Sequence, residues 1–182
     1  MVLALQVLCV TDGVRSAVIE GVQFPTVSSS RSLSLPLRGV GLAKYLRVIK
    51  VYVAALYLDP TVSPERVLED VPKRLELSYL RPLKAQDFAR AAETVLPSNV
   101  SPTNMAGIRT RVEQLHRLFQ DIEPGDRYSL TYVPGVGTEL AHNEKVKGVI
   151  PGEDFAAAYF SIWLGPDPIS PSLKDALLGV EK

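Results

Sequence analysis

Lys44–Leu58, KYLRVIKVYVAALYL, runs without a Gly, Pro, Asn or Asp. No other stretch restricts the fold as much. Its β-branched and aromatic residues suit a pleated strand. One alternate set is Tyr45, Arg47, Ile49, Val51, Val53, Ala55, Tyr57; the other is Lys44, Leu46, Val48, Lys50, Tyr52, Ala54, Leu56, Leu58. Both become mostly apolar after Arg47, which predicts one long central strand covered on both faces. A buried helix of similar length is the competing reading. Lys50, a charge in mid-run, either reaches water along its stem or meets a buried anion.

Around this run the chain alternates strand and helix signals. Ala17–Phe24 reads as a strand ending at Pro25. Leu33, Leu35 and Leu37 alternate with polar residues, and Pro36 places that strand at an edge. Arg38-Gly-Val-Gly-Leu42 reads as a turn, because the third Gly and the following helix of a dinucleotide fingerprint are missing. Ser63-Pro64-Glu65 predicts a short helix, and Arg74–Leu80 another strand. Lys84–Leu96 carries an apolar stripe of Phe88, Ala91, Ala92 and Val95 at helical spacing, ended by Pro97. Ser101-Pro102 opens a helix to about Asp121. Strands are expected at Tyr128–Val133, Thr138–Ala141 and Val146–Ile150, and helices at Glu153–Leu164 and from Ser170-Pro171 to Leu178. The order predicts one α+β domain over 17–179.

The chain has 20 Lys+Arg and 20 Asp+Glu, so it lacks the basic excess of a general nucleic-acid binder. Cys9 is the only cysteine, which excludes an internal disulfide and a thiolate metal cage. No cofactor motif is present. No run of 18 apolar residues exists, so no membrane span is expected. The segment 1–16 begins with apolar Met1–Val10 but has no Lys or Arg before Arg15. A degenerate export signal, a first strand and a misplaced translation start all remain open; a cytoplasmic location is favoured over export.

Glu20-Gly-Val-Gln-Phe24-Pro25, Leu37-Arg-Gly-Val-Gly-Leu42, Lys50–Leu58, Val149-Ile-Pro-Gly152 before Phe155, Ile162-Trp-Leu-Gly165 and Ile169-Ser-Pro171 occur in this order. In that order they resemble the chalcone isomerase-like family. The resemblance implies an open-faced β-sandwich, an antiparallel sheet backed by helices with a ligand cleft between them. Catalytic members of the family close a chalcone to a flavanone by intramolecular lyase chemistry. Other members bind fatty acids through an Arg and a Tyr. Matched position by position, the isomerase Arg is replaced by Ala43 or, with a one-residue offset, Lys44. The strand Thr is Tyr52, the helix Tyr is Phe88, and the late Ser or Thr is Ile162, beside Trp163. Loss of a single oxyanion donor costs about 10²–10³ in rate, so efficient isomerase activity is not expected.

The resemblance leaves a cleft lined by Tyr52, Phe88, Ala92, Val95, Ile162 and Trp163, with Lys44 or Arg47 near its mouth. Such a lining suits a fatty-acid-like or other elongated apolar ligand. Lys44, Lys50 and Tyr52 share one face of a regular strand and Arg47 the other, so Lys44 or Lys50 is expected to meet the ligand's carboxylate beside Tyr52. Two readings compete: a retained isomerase, and an interaction scaffold whose cleft is closed.

Overall fold

The computed structural model describes residues 16–30, 33–46 and 48–180. The readings for segment 1–15 and the placing of Arg47 fall outside the described residues. Two short strands, β1 (Ser16–Ile19) and β2 (Val22–Pro25), form a hairpin. Seven further strands form one antiparallel sheet in sequence order: β3 (Val27–Ser30), β4 (Leu33–Tyr45), β5 (Ile49–Leu58), β6 (Lys73–Tyr79), β7 (Arg127–Val133), β8 (Gly137–His142) and β9 (Lys145–Ile150). Helices α1 (Ala85–Asn99), α2 (Pro102–His116), α3 (Glu153–Leu164) and α4 (Pro171–Leu178) back the sheet. This is an α+β fold, a curled antiparallel sheet with helices on one face.

The 44–58 run is not one strand. Leu46 adopts φ 50, Val48 N donates to Tyr45 O at 3.3 Å, and the chain reverses. Lys44 therefore belongs to β4 and pairs across the hairpin with Lys50. No Gly or Asn marks this turn, so turn chemistry could not reveal it. The covered strand is β5. Tyr52, Ala54, Leu56 and Leu58 enter the core on the helix side, and Val53, Ala55 and Tyr57 a second core with Phe24 and Leu35 on the outer side. The β1–β2 hairpin packs over that outer core, because Ala17–Phe24 turns at Glu20-Gly21 rather than running straight.

The Arg38–Leu42 segment is strand, not turn. A Cβ at Gly39 would lie 2.6 Å from the carbonyl oxygen of Leu177, and one at Gly41 would lie 2.7 Å from Leu173 Cδ1. The two glycines thus provide room for α4 to rest directly on β4. Pro36 pairs only with β3; the β4–β5 ladder begins one residue later, at Leu37–Tyr57. The proline therefore takes no donor from the central pairing.

Pro97 lies inside α1 rather than ending it. Asn99 Nδ2 donates to Val95 O at 3.1 Å and Val100 N to Leu96 O, so the carbonyls of the last turn still find partners. The element at Ser63-Pro64 is a single 3-10 turn, Pro64–Arg66, and α2 stops at His116, five residues earlier than its charge pattern suggests. Strand β6 is buried along its whole length. On the outer face its Arg74 and Glu76 pair at 3.3 Å, and Arg127 reaches Glu76 at 2.5 Å.

Candidate functional site

A cavity of about 390 Å³ lies between the sheet and the helices α1 and α3. Its floor is the helix-side face of the central strands. Alternation along β6 and β7 brings Leu77, Tyr79, Tyr128 and Leu130 to one face, and Leu140 of β8 follows. Helix α1 contributes Phe88, Ala91 and Ala92, and α3 contributes Tyr159, Ile162 and Trp163, one turn apart. The mouth is formed by the β4–β5 tip, by Asp87, and by Ile169 and Ser170 ahead of α4.

Six of the eight sequence-predicted residues meet here: Tyr52, Lys44, Phe88, Ala92, Ile162 and Trp163. Two do not. Lys50 has its ammonium 2.6 Å from Glu20 Oε2 in the β1–β2 turn. The register shift between the Ala43–Tyr52 and Lys44–Lys50 pairs leaves Val51 as an extra residue on β5, so strict alternation does not carry from Tyr52 to Lys50. Val95 packs against the core but not on the cavity wall. Ala43 and Lys44 both line the cavity. Consecutive strand residues normally point to opposite faces, but a bulge falls between these two, and bulges re-aim side chains in this way.

Tyr52 carries the most specific polar contact. Trp163 Nε1 donates to its hydroxyl oxygen at 3.0 Å. Indole is a donor only, so Tyr52 accepts from it and its own O–H remains free to donate elsewhere. Burial pushes the Tyr52 phenol up to about 12, partly offset by the Trp163 bond, so it is a neutral donor at physiological pH. Burial raises Tyr79 well above the usual phenol range, with further upward contributions from Tyr52, Tyr128 and Tyr159; burial also raises Tyr159. These phenols surround a largely aromatic interior. Tyr52 meets Tyr79 edge-on at 5.6 Å between ring centres, and Phe88 stacks on Phe119 at 4.6 Å.

Charge is confined to the mouth. Lys44 is exposed there and makes no ion pair among the described residues. Asp87 is tied to α1 by accepting from Lys84 N at 2.9 Å, and Arg90 is 3.4 Å from it. No group of His, Cys, Asp and Glu among the described residues could hold a metal. No described helix is long and apolar enough to cross a membrane.

Tyr79, Tyr128, Tyr159, Phe119 and Leu130 were not singled out by the sequence reading. Their signal was present, since period-two and helical spacing place each on an apolar face. What the spacing omits is which strands are neighbours.

The comparisons bear on the family and the fold. A chalcone isomerase-like family model matches residues 16–179. No curated protein sequence matches the chain significantly. A fatty-acid binding protein of Arabidopsis thaliana has a similar solved structure, with TM-score 0.72 and 17% identity over 90% of this chain and 96% of that one. At this identity the likeness establishes the shared fold. The chain belongs to the chalcone isomerase-like family.

Proposed function

We propose that this protein binds an elongated apolar ligand of fatty-acid type, without efficient catalysis. The tail lies in the cavity and the carboxylate sits at the mouth, between the Tyr52 O–H and Lys44. One observation carries the reading: an apolar cavity offers a phenolic donor oriented by Trp163 and, at its opening, an ammonium with no ion pair among the described residues. A carboxylate removed from water needs a charge partner and hydrogen bonds, and both are supplied there. The volume falls within the range of about 300–1,000 Å³ usual for small-molecule sites. The ligand named for the Arabidopsis structure adds support. An open cavity also favours ligand binding over the scaffold reading. The non-catalytic part rests on Phe88 and Ile162, which carry no hydroxyl where the isomerases have one.

Titration of the protein with a long-chain fatty acid, by calorimetry or displacement of a fluorescent analogue, tests the reading. Tyr52→Phe and Lys44→Ala should each cost about 1.5–3 kcal/mol, as expected for a hydrogen bond to a charged group. Lys50→Ala should change nothing. Absence of binding, or equal affinity in parent and both cavity variants, would refute it. In a parallel absorbance assay, 2′-hydroxychalcone should cyclise no faster with the protein than alone. Turnover that Tyr52→Phe abolishes would instead establish the isomerase reading.

A further inference from the structure

The tip of the β4–β5 hairpin presents large apolar side chains to water. Tyr45 is 61% exposed, Leu46 70% and Val48 75%. Single exposed hydrophobics are ordinary, but a cluster of them marks a contact surface. This cluster sits at the cavity mouth, which Tyr45 and Leu46 help to line, and Ile169, itself 42% exposed, stands on the same rim. The turn holds Leu46 at positive φ, an unusual conformation for a side chain of this kind.

Cations flank the apolar tip. Lys44 and Lys50 stand directly opposite each other in the hairpin stem, an arrangement that is unfavourable unless other charges answer it. Glu20 answers Lys50 at 2.6 Å; Lys44 has no such partner among the described residues. Arg81 is exposed beside them, its Nε donating to Lys50 O at 3.1 Å. Apolar side chains beside Lys44 and Arg81, with Lys50 already paired to Glu20, match the boundary of an anionic bilayer, where the former enter the acyl region and the free cations meet phosphates.

We propose that the β4–β5 tip docks this protein on an anionic phospholipid membrane, with the cavity mouth facing the bilayer. A ligand of low water solubility would then pass between membrane and cavity without crossing bulk water. That last consequence rests on the fatty-acid reading; the docking itself does not.

Sedimentation of the ligand-free full chain with vesicles tests the docking, comparing phosphatidylcholine alone with a mixture one-third phosphatidylglycerol. Retention on the anionic vesicles should be several-fold greater and should fall as salt is added. Lys44→Gln should lose about fivefold, the effect of one cation near such a surface. Val48→Asp should lose more than tenfold while keeping the parent's melting temperature. Val48 is not on the cavity wall, so this variant should bind a free fatty acid in solution as the parent does, yet load more slowly from vesicles. Equal retention on neutral vesicles, no retention at all, or parent-like retention of Val48→Asp would overturn the docking. A dimer seen by light scattering that Val48→Asp dissolves, without vesicle binding, would overturn it in favour of a protein interface. Vesicle binding without fatty-acid titration would refute the ligand reading and leave the docking standing.

Discussion

At the scale of single residues, the Trp163–Tyr52 bond ties the cavity's polar chemistry to its wall. Trp163→Phe keeps the wall aromatic but removes the donor that fixes the phenol's direction. Fatty-acid affinity should fall by about 0.5–1.5 kcal/mol, less than for Tyr52→Phe. In the double variant the losses should not add, because Trp163 acts through Tyr52; strict additivity would show that the two act separately. Lys73 poses a different problem. It is fully buried on the helix side of β6, its ammonium donating to Glu69 O at 2.8 Å and lying 4.6 Å from the Tyr132 ring centre. Burial brings it down to about 8 from 10.5, against the pull of Asp70. Between these values the folded state holds fewer protons than the unfolded one, so stability rises with pH across that window, by at most about 1.4 kcal/mol per pH unit. The tyrosines act with the opposite sign. The unfolded phenol ionises near 10, while Tyr52 holds its proton to about 12, so stability falls as pH climbs through that interval. Denaturant unfolding across pH should therefore show a maximum near the crossover of the two windows. Lys73→Met should flatten the rising limb, and a rise unchanged in that variant would sink the assignment.

At the scale of elements, glycine marks where layers meet. Gly39→Ala forces a Cβ into the carbonyls of α4 and should cost about 1–3 kcal/mol in thermal or chemical unfolding. Gly107→Ala, in mid-α2 with nothing near its would-be Cβ, should gain about 0.5–1 kcal/mol. Similar effects from both would show that α4 does not press on β4 as described. The same glycines show where sequence reading stops. Helix α3 was legible to its ends because acids, apolar stripe and terminal Gly165 all agree. Gly39 and Gly41 look like loop punctuation; only the helix lying on them, more than a hundred residues later in the chain, makes them strand. The turn at Leu46 was hidden for the converse reason. Its residues favour strand, and pairing between β4 and β5 imposes the reversal that local chemistry does not request. The error carried into the site: Lys44 and Lys50 looked like neighbours on one face and are opposite members of a hairpin. The aromatic lining was half legible, since each face could be read but not the order of the strands.

At the scale of the whole molecule, the sheet follows sequence order from β3 to β9, so each strand can pair as soon as its successor is made. The contact between α4 and β4 departs from this order. Arg38 Nε donates to Leu178 O across 140 residues of chain, and α4 fills the ground left by Gly39 and Gly41. Synthesis adds about 5–20 residues per second, so this interval lasts roughly 7 to 28 seconds. During that time β4 exists with its glycine face bare. Ribosome-bound chains halted before Pro171 should therefore be cut by protease within β4, and chains carrying an added linker after Lys182, long enough for α4 to clear the exit tunnel, should resist. Equal resistance in both would mean that the sheet closes without its helix. A nascent chain thus carries an open seam along β4 through 140 residues of synthesis, and it is sewn shut only when α4 arrives.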